Sequence, residues 1–196
     1  MGHAPTFEEL LAGVETDPGS EAASRALERS ANQLGRWPEA VQTVARRFES
    51  ETDPERRIAL ALRLARWYST RLQRPDYAVP YMQFVARQNP EHVGLLTLTG
   101  AFAISQPGLA LEFLAKARAV ATTSAELAQV LYETGRAYEE HGQLEQAEEH
   151  FRQALDLDVR HHATFEGLQR IFEVTGRPDD AAKAAAFLRE LDAPHE

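Results

Sequence analysis

The sequence predicts an all-α fold, and three observations predict it. Helix formers dominate the 196 residues, with 32 Ala and 22 Leu, residue types that lose little side-chain freedom in a helix. β-Branched and aromatic residues never alternate over a stretch of strand length. Prolines sit as helix openers in Trp37-Pro38-Glu39, Asp53-Pro54-Glu55, Arg74-Pro75-Asp76, Asn89-Pro90-Glu91 and Arg177-Pro178-Asp179, because a first turn leaves unpaired the donor that proline lacks.

Taken in order, the first helix is expected over residues 6–16, where Phe7, Leu10, Leu11 and Val14 share one face. Thr6-x-x-Glu9 has the capping-box spacing, in which hydroxyl and carboxylate each satisfy an orphan amide, and Thr123-x-x-Glu126 repeats it. Asp53 and Asn89, each before a proline, are expected N-caps. Pro80 falls within or just after a first turn if its helix begins near Asp76, where little hydrogen bonding is lost.

The chain then repeats itself. Residues 128–161 carry Leu131, Gly135, Tyr138, Gly142, Ala147, Phe151 and Ala154. The next segment repeats the sense with Phe165, Leu168, Phe172, Gly176, Ala181 and Leu188, and Thr175-Gly176-Arg177 parallels His141-Gly142-Gln143 at a distance of 34 residues. Small residues at these positions let two helices approach where Gly or Ala faces Tyr, Phe or Leu. The pattern resembles the tetratricopeptide repeat (TPR) family, a 34-residue helix–turn–helix unit. It departs mildly from that family's pattern at Leu131, Thr134 and Val159. Weaker units are Leu27, Ala31, Gly35, Ala40 and Val44; then Ala65, Tyr68, Ala78, Met82, Val85 and Pro90; then Gly100, Ala110, Leu114 and Ala117.

The resemblance implies a right-handed α-solenoid of antiparallel helix hairpins. One array spans residues 1–196, with a half repeat at 6–16 and repeats at 20–52, 53–90, 91–122 (degenerate), 124–161 and 162–193, about eleven helices in all. The small residue opening each second helix recurs at Ala40, Ala78, Ala110, Ala147 and Ala181, at separations of 38, 32, 37 and 34. The uneven spacing predicts local distortion around residues 70–125. Neither end reads as a dedicated polar capping helix, so a longer chain, or a partner covering an end, is expected.

In the TPR family the first helix of each hairpin lines a concave groove. Carried over by position, one column reads Arg29, Arg66, Ala101, Arg136 and Arg170. Arg25, Asn32, Leu62, Ser69, Thr97, Tyr132, Glu139, Glu166 and Glu173 are further groove-facing candidates. Guanidinium forks bind carboxylates bidentately, so an acidic peptide is the expected ligand. The competing reading ties the arginines to neighbours, Arg29 to Arg25 or the region of Glu28, Arg136 to Glu133 and Glu140, and Arg170 to Glu166 and Glu173, in exposed pairs each contributing about 0.3–0.5 kcal/mol. Only Lys116 and Lys183 are lysines, both on expected second helices, which separates the chain from the TPR subgroup that clamps chaperone tails with lysines.

Composition narrows the function class. Thirty acids against twenty-one bases give a net charge of −9, the wrong sign for phosphate-dominated nucleic-acid binding. The acidity is local, with fourteen acids and fourteen bases in residues 1–125 but sixteen and seven in residues 126–196. No cysteine is present, which removes disulfides and thiolate chemistry. No apolar run approaches the roughly 18 residues of a membrane span, and Met1-Gly2-His3-Ala4-Pro5 does not open a signal peptide, so a cytoplasmic location is expected.

No GxxxxGK[ST], GxGxxG, GxSxG or HExxH occurs. His161, His162, His141 and His150 read as solvated turn residues, and Trp37 and Trp67 as packing rather than base-stacking groups. Nineteen Arg against two Lys, with abundant Ala, suggest a GC-rich bacterial source. The expectation is a non-enzymatic protein-binding scaffold without cofactor or metal. The alternative is a self-assembling element that stacks through terminal helices such as 181–191, with Phe187.

Overall fold

The computed structural model describes residues 5–17 and 20–192, and these are helical throughout, joined by turns. In order the helices are α1 (Phe7–Thr16), α2 (Glu21–Leu34), α3 (Trp37–Ser50), α4 (Pro54–Thr70), α5 (Pro75–Gln88), α6 (Val93–Phe102), α7 (Pro107–Val120), α8 (Ser124–Glu140), α9 (Leu144–Leu157), α10 (His162–Val174) and α11 (Pro178–Asp192). The all-α class read from the sequence is the one observed. Pro18 of the expected break after α1 lies outside the described residues.

Most helix starts follow the expected chemistry. Thr6 and Thr123 complete capping boxes with Glu9 and Glu126, and the Asp53 side chain accepts from Arg56 N. Prolines occupy the first turns of α3, α4, α5, α7 and α11, and Pro80 lies in the second turn of α5 on its exposed side. Asn89 is a correction. It closes α5 as the C-cap, and α6 starts at Val93 under His92, whose Nδ1 accepts from Gly94 N. The Asn89-Pro90-Glu91 stretch is therefore a connection between helices.

The chain divides into two compact units, Met1–Pro90 and Glu91–Glu196. In the first, Phe7 and Val14 of α1, Leu27 and Ala31 of α2, Ala40, Val41 and Val44 of α3, and Leu60, Leu64 and Trp67 of α4 form one buried cluster. Trp37 and Trp67 pack edge to face with centroids 5.4 Å apart, so both tryptophans are packing groups. Arg36 ties α1 to the α2–α3 turn through Glu8 at 2.8 Å, a further bond to Glu39, and its guanidinium 4.1 Å over the Phe7 ring.

In the second unit α8 packs against α9, α10, α7 and α6, and glycines set how closely. A Cβ on Gly135 would stand 2.6 Å from Phe151 Cδ1, and one on Gly167 would stand 2.7 Å from Phe151 Cε2. The fully buried Phe151 of α9 is thus wedged between the backbones of α8 and α10. Gly100 repeats the device, since its Cβ would meet Leu114 Cγ at 2.6 Å, and this gives the degenerate third repeat a hairpin of the same design.

Three of the hairpin turns, α2–α3, α8–α9 and α10–α11, share one closure. Gly35, Gly142 and Gly176 adopt φ of 68°, 71° and 71°, a region open to glycine at little cost. Beyond them Arg36, Gln143 and Arg177 donate back to Ala31, Tyr138 and Phe172 carbonyls, the six-to-one bond of a Schellman ending. The α4–α5 turn places Gln73 at φ 55°.

Two outcomes follow from this packing. Gly135→Ala lowers unfolding free energy by about 1–3 kcal/mol through overpacking, yet in a Phe151→Ala background, itself costing about 3–5 kcal/mol, the same change costs less, because the ring clash is gone and only the 3.2 Å approach to the Ala147 carbonyl oxygen remains; urea denaturation of the four proteins reads this coupling. Gln73→Gly raises stability by about 0.5–1 kcal/mol, the left-handed penalty outweighing glycine's larger unfolded-state entropy, measured as a higher denaturation midpoint.

Candidate functional site

The expected groove residues fall on the first helices of the hairpins, α2 and α4 in the first unit and α6, α8 and α10 in the second. They differ in what already holds them.

In the first unit, α2 and α4 are joined where the Trp67 indole N–H donates to Glu28 Oε1 at 2.6 Å, with Arg71 donating to Glu28 Oε2 at 3.3 Å. Arg29 and Arg66 are the chain neighbours of the two residues in the shorter bond. Arg29 is exposed, Arg66 half-buried, and neither side chain makes a hydrogen bond or ion pair among the described residues. Arg25 is also exposed on α2. Asn32 Oδ1 accepts the Trp37 indole N–H at 2.8 Å, and the Ser69 hydroxyl donates to the Ala65 carbonyl of its own helix at 2.8 Å. Both therefore have structural partners, while Leu62 is half-buried.

The second unit is wired differently. Arg136 donates to Glu133 at 3.0 Å, as the pairing reading expects. Arg170 does not pair with Glu166 or Glu173. It grips Glu139 of α8 bidentately at 2.8 and 2.9 Å, a bond across 31 residues that stitches one hairpin's first helix to the next. Glu166 instead meets His162 at 3.5 Å, and Glu173 accepts from Gln169 at 2.8 Å. Thr97 is a correction as a groove residue, being buried with its hydroxyl on the Val93 carbonyl, and Ala101 is half-buried.

His161 is a second correction. It is buried rather than solvated, within 2.7 Å of the Thr164 hydroxyl and 3.3 Å of the Gln129 amide oxygen, with its ring 5.0 Å from that of Tyr132. Sequence spacing placed it at a helix start, and the missed signal was Tyr132 and Gln129, roughly one repeat earlier on the helix it docks against. His141 is exposed and contacts the Ile104 carbonyl, while His150 is half-buried against Tyr138. Tyr132 is itself largely covered, and burial first, with the nearby Glu133 carboxylate second, pushes its phenol up to about 12. It is closer to a packing residue than to an open contact. Among the described residues no three His, Asp or Glu side chains gather as metal ligands, and no helix is long and apolar enough to cross a membrane.

Comparison with known proteins agrees with this architecture. Residues 128–161, which span α8 and α9, match the family model of the tetratricopeptide repeat. A thermophilic TPR protein of Thermus thermophilus is 21% identical with a TM-score of 0.64, over 90% of this chain and 91% of its own. PilW, a type IV pilus biogenesis factor, is 14% identical with a TM-score of 0.61, over 98% of this chain and 81% of its own. A double mutant of MamA is 24% identical with a TM-score of 0.50, over 97% of both chains. At such identities the likeness is one of fold, that of helical-hairpin solenoids. No curated protein sequence matches the chain.

The Tyr132 environment has a measurable pH signature. An unfolded tyrosine loses its proton near pH 10, whereas the folded phenol holds it to about 12, so the folded state binds more protons between those values and stability falls as pH rises through that window. Tyr132→Phe removes this share of the loss. The urea midpoint of the variant accordingly declines less between about pH 10 and 12 than that of the parent chain, and the two pH slopes coincide below that range.

Proposed function

We propose that this tetratricopeptide-repeat protein is a non-enzymatic scaffold whose first-helix faces hold a segment of another protein, and that the segment is acidic. TPR proteins as a class mediate protein–protein interaction. The narrower reading rests on one observation, the two guanidinium groups of Arg29 and Arg66 on neighbouring first helices with no internal partner among the described residues.

The second unit provides the chemical comparison. At the matching column positions Arg136 and Arg170 are occupied by Glu133 and Glu139, so carboxylates complete these arginines where the chain supplies them. Where it supplies none, a partner's Asp or Glu takes that place, with a planar fork suited to bidentate contact. Arg25 extends the basic surface along α2. Asn32 and Ser69 border the same face but keep their side-chain bonds, and Tyr132, Glu139, Arg136 and Arg170 form the corresponding, internally neutralised face of the second unit.

Exposed charge pairs are individually weak, so affinity comes from several of them and falls with salt. A fluorescein-labelled Asp- and Glu-rich peptide titrated with the full chain tests the proposal by anisotropy. Arg29→Ala combined with Arg66→Ala weakens binding at least tenfold and flattens its salt dependence, whereas Arg136→Ala combined with Arg170→Ala changes affinity less than about threefold, a difference of order 0.7 kcal/mol. Equal affinities for the parent and the Arg29, Arg66 variant would refute the assignment.

A further inference from the structure

An open cavity of about 700 Å³ lies along α10 and α11, lined by Gln169, Glu173, Gly176, Pro178, Ala181 and Ala185 among others. Its meaning is readable from the molecule's own repeat. Thirty-four residues upstream the same positions are Gly135, Glu139, Gly142, Leu144, Ala147 and Phe151, and that surface is filled. The helix that fills it is α10, which sets Gly167 against the Phe151 ring and reaches Arg170 across to Glu139 at 2.8 and 2.9 Å.

Two differences define what the downstream surface accepts. Phe151 is replaced by Ala185, so the bulk that meets Gly167 in the filled copy is missing and has to come from the other side. Glu139 is matched by Glu173, which accepts only the Gln169 amide at Oε1, 2.8 Å away, and leaves Oε2 facing no cation among the described residues.

We propose that this α10–α11 face docks an amphipathic helix of a partner protein, laid as α10 lies on α8 and α9, carrying a bulky apolar residue where α10 has Gly167 and an arginine three residues later to meet Glu173. The apolar residue fills the volume that Ala185 leaves. The arginine reproduces the Glu139–Arg170 pair one repeat on. This surface is distinct from the Arg29 and Arg66 face, and neither requires the other.

The probe is a hydrocarbon-stapled, fluorescein-labelled peptide of the α10 sequence, His162–Val174, with Gly167→Leu, titrated with the full chain. The Gly167→Leu peptide binds at least tenfold more tightly than the unsubstituted one. Ala185→Phe in the protein reverses that ranking, because the ring then occupies the space the leucine needs. Glu173→Arg weakens the leucine peptide at least tenfold, and a peptide that also carries Arg170→Glu regains the loss. Circular dichroism of both variants checks that these exposed or half-buried substitutions leave the helices intact. Absence of binding by the leucine peptide, or binding indifferent to both substitutions, overturns the proposal. So does self-association of the chain alone in sedimentation that Ala185→Phe or Glu173→Arg abolishes, since that assigns the face to a second copy.

Discussion

The second unit depends on the close approach of helix backbones around one aromatic ring. Phe151 is fully buried with Gly135 on one side and Gly167 on the other, and neither glycine has room for a methyl group. A ring of that size between two helices is a large apolar gain that ordinary side chains would forfeit by holding the helices apart. The hairpin geometry follows from it: α8 and α9 antiparallel and tight, α10 pulled onto both, and Arg170 brought within bidentate reach of Glu139. Leu114 of α7 does the same with a smaller wedge against Gly100 of the shorter α6. Remote ion pairs such as Arg177 to Glu148, between the α10–α11 turn and α9, are consequences of that register rather than its cause.

Close packing on one side of each hairpin leaves the first-helix faces to be settled by charge. In the second unit Glu139 sits where the neighbouring repeat's Arg170 arrives and Glu133 holds Arg136 of its own helix, so the surface neutralises itself. In the first unit the comparable carboxylate, Glu28, is already taken by the Trp67 indole and Arg71, and the Arg29 and Arg66 side chains make no hydrogen bond or ion pair among the described residues. A single buried indole that needs an acceptor thus changes the character of the face beside it.

Periodicity made much of this legible. Gly135, Ala147 and Phe151 announce a hairpin because a small residue facing a large one has few other uses at helical spacing, and Thr6, Asp53 and Thr123 announce helix starts through local bonds confined to one turn. What could not be read are effects that depend on a second segment. Asn89 before a proline has the residue type of an N-cap, but the chain uses the dipeptide as a link. His161 looks like a solvated turn residue until α8 supplies Gln129 and Tyr132. Arg170 has two glutamates at helical spacing on its own helix and chooses a third on another, because interhelical packing fixes Glu139 in a fork that a flexible intrahelical neighbour does not offer. The exchange of Phe151 for Ala185 was visible as letters and silent as meaning until the ring's position between two glycines was known.

Both tryptophans of the chain, Trp37 and Trp67, lie in the first unit, one against the other. Indole emission therefore follows the melting of residues before Pro90 alone, whereas peptide-bond circular dichroism follows every helix. The molecule carries its own means of asking whether the two halves unfold as one cooperative body or as two: coincident transitions by the two signals mean a single all-or-none event, and separated ones mean an intermediate with one half still folded.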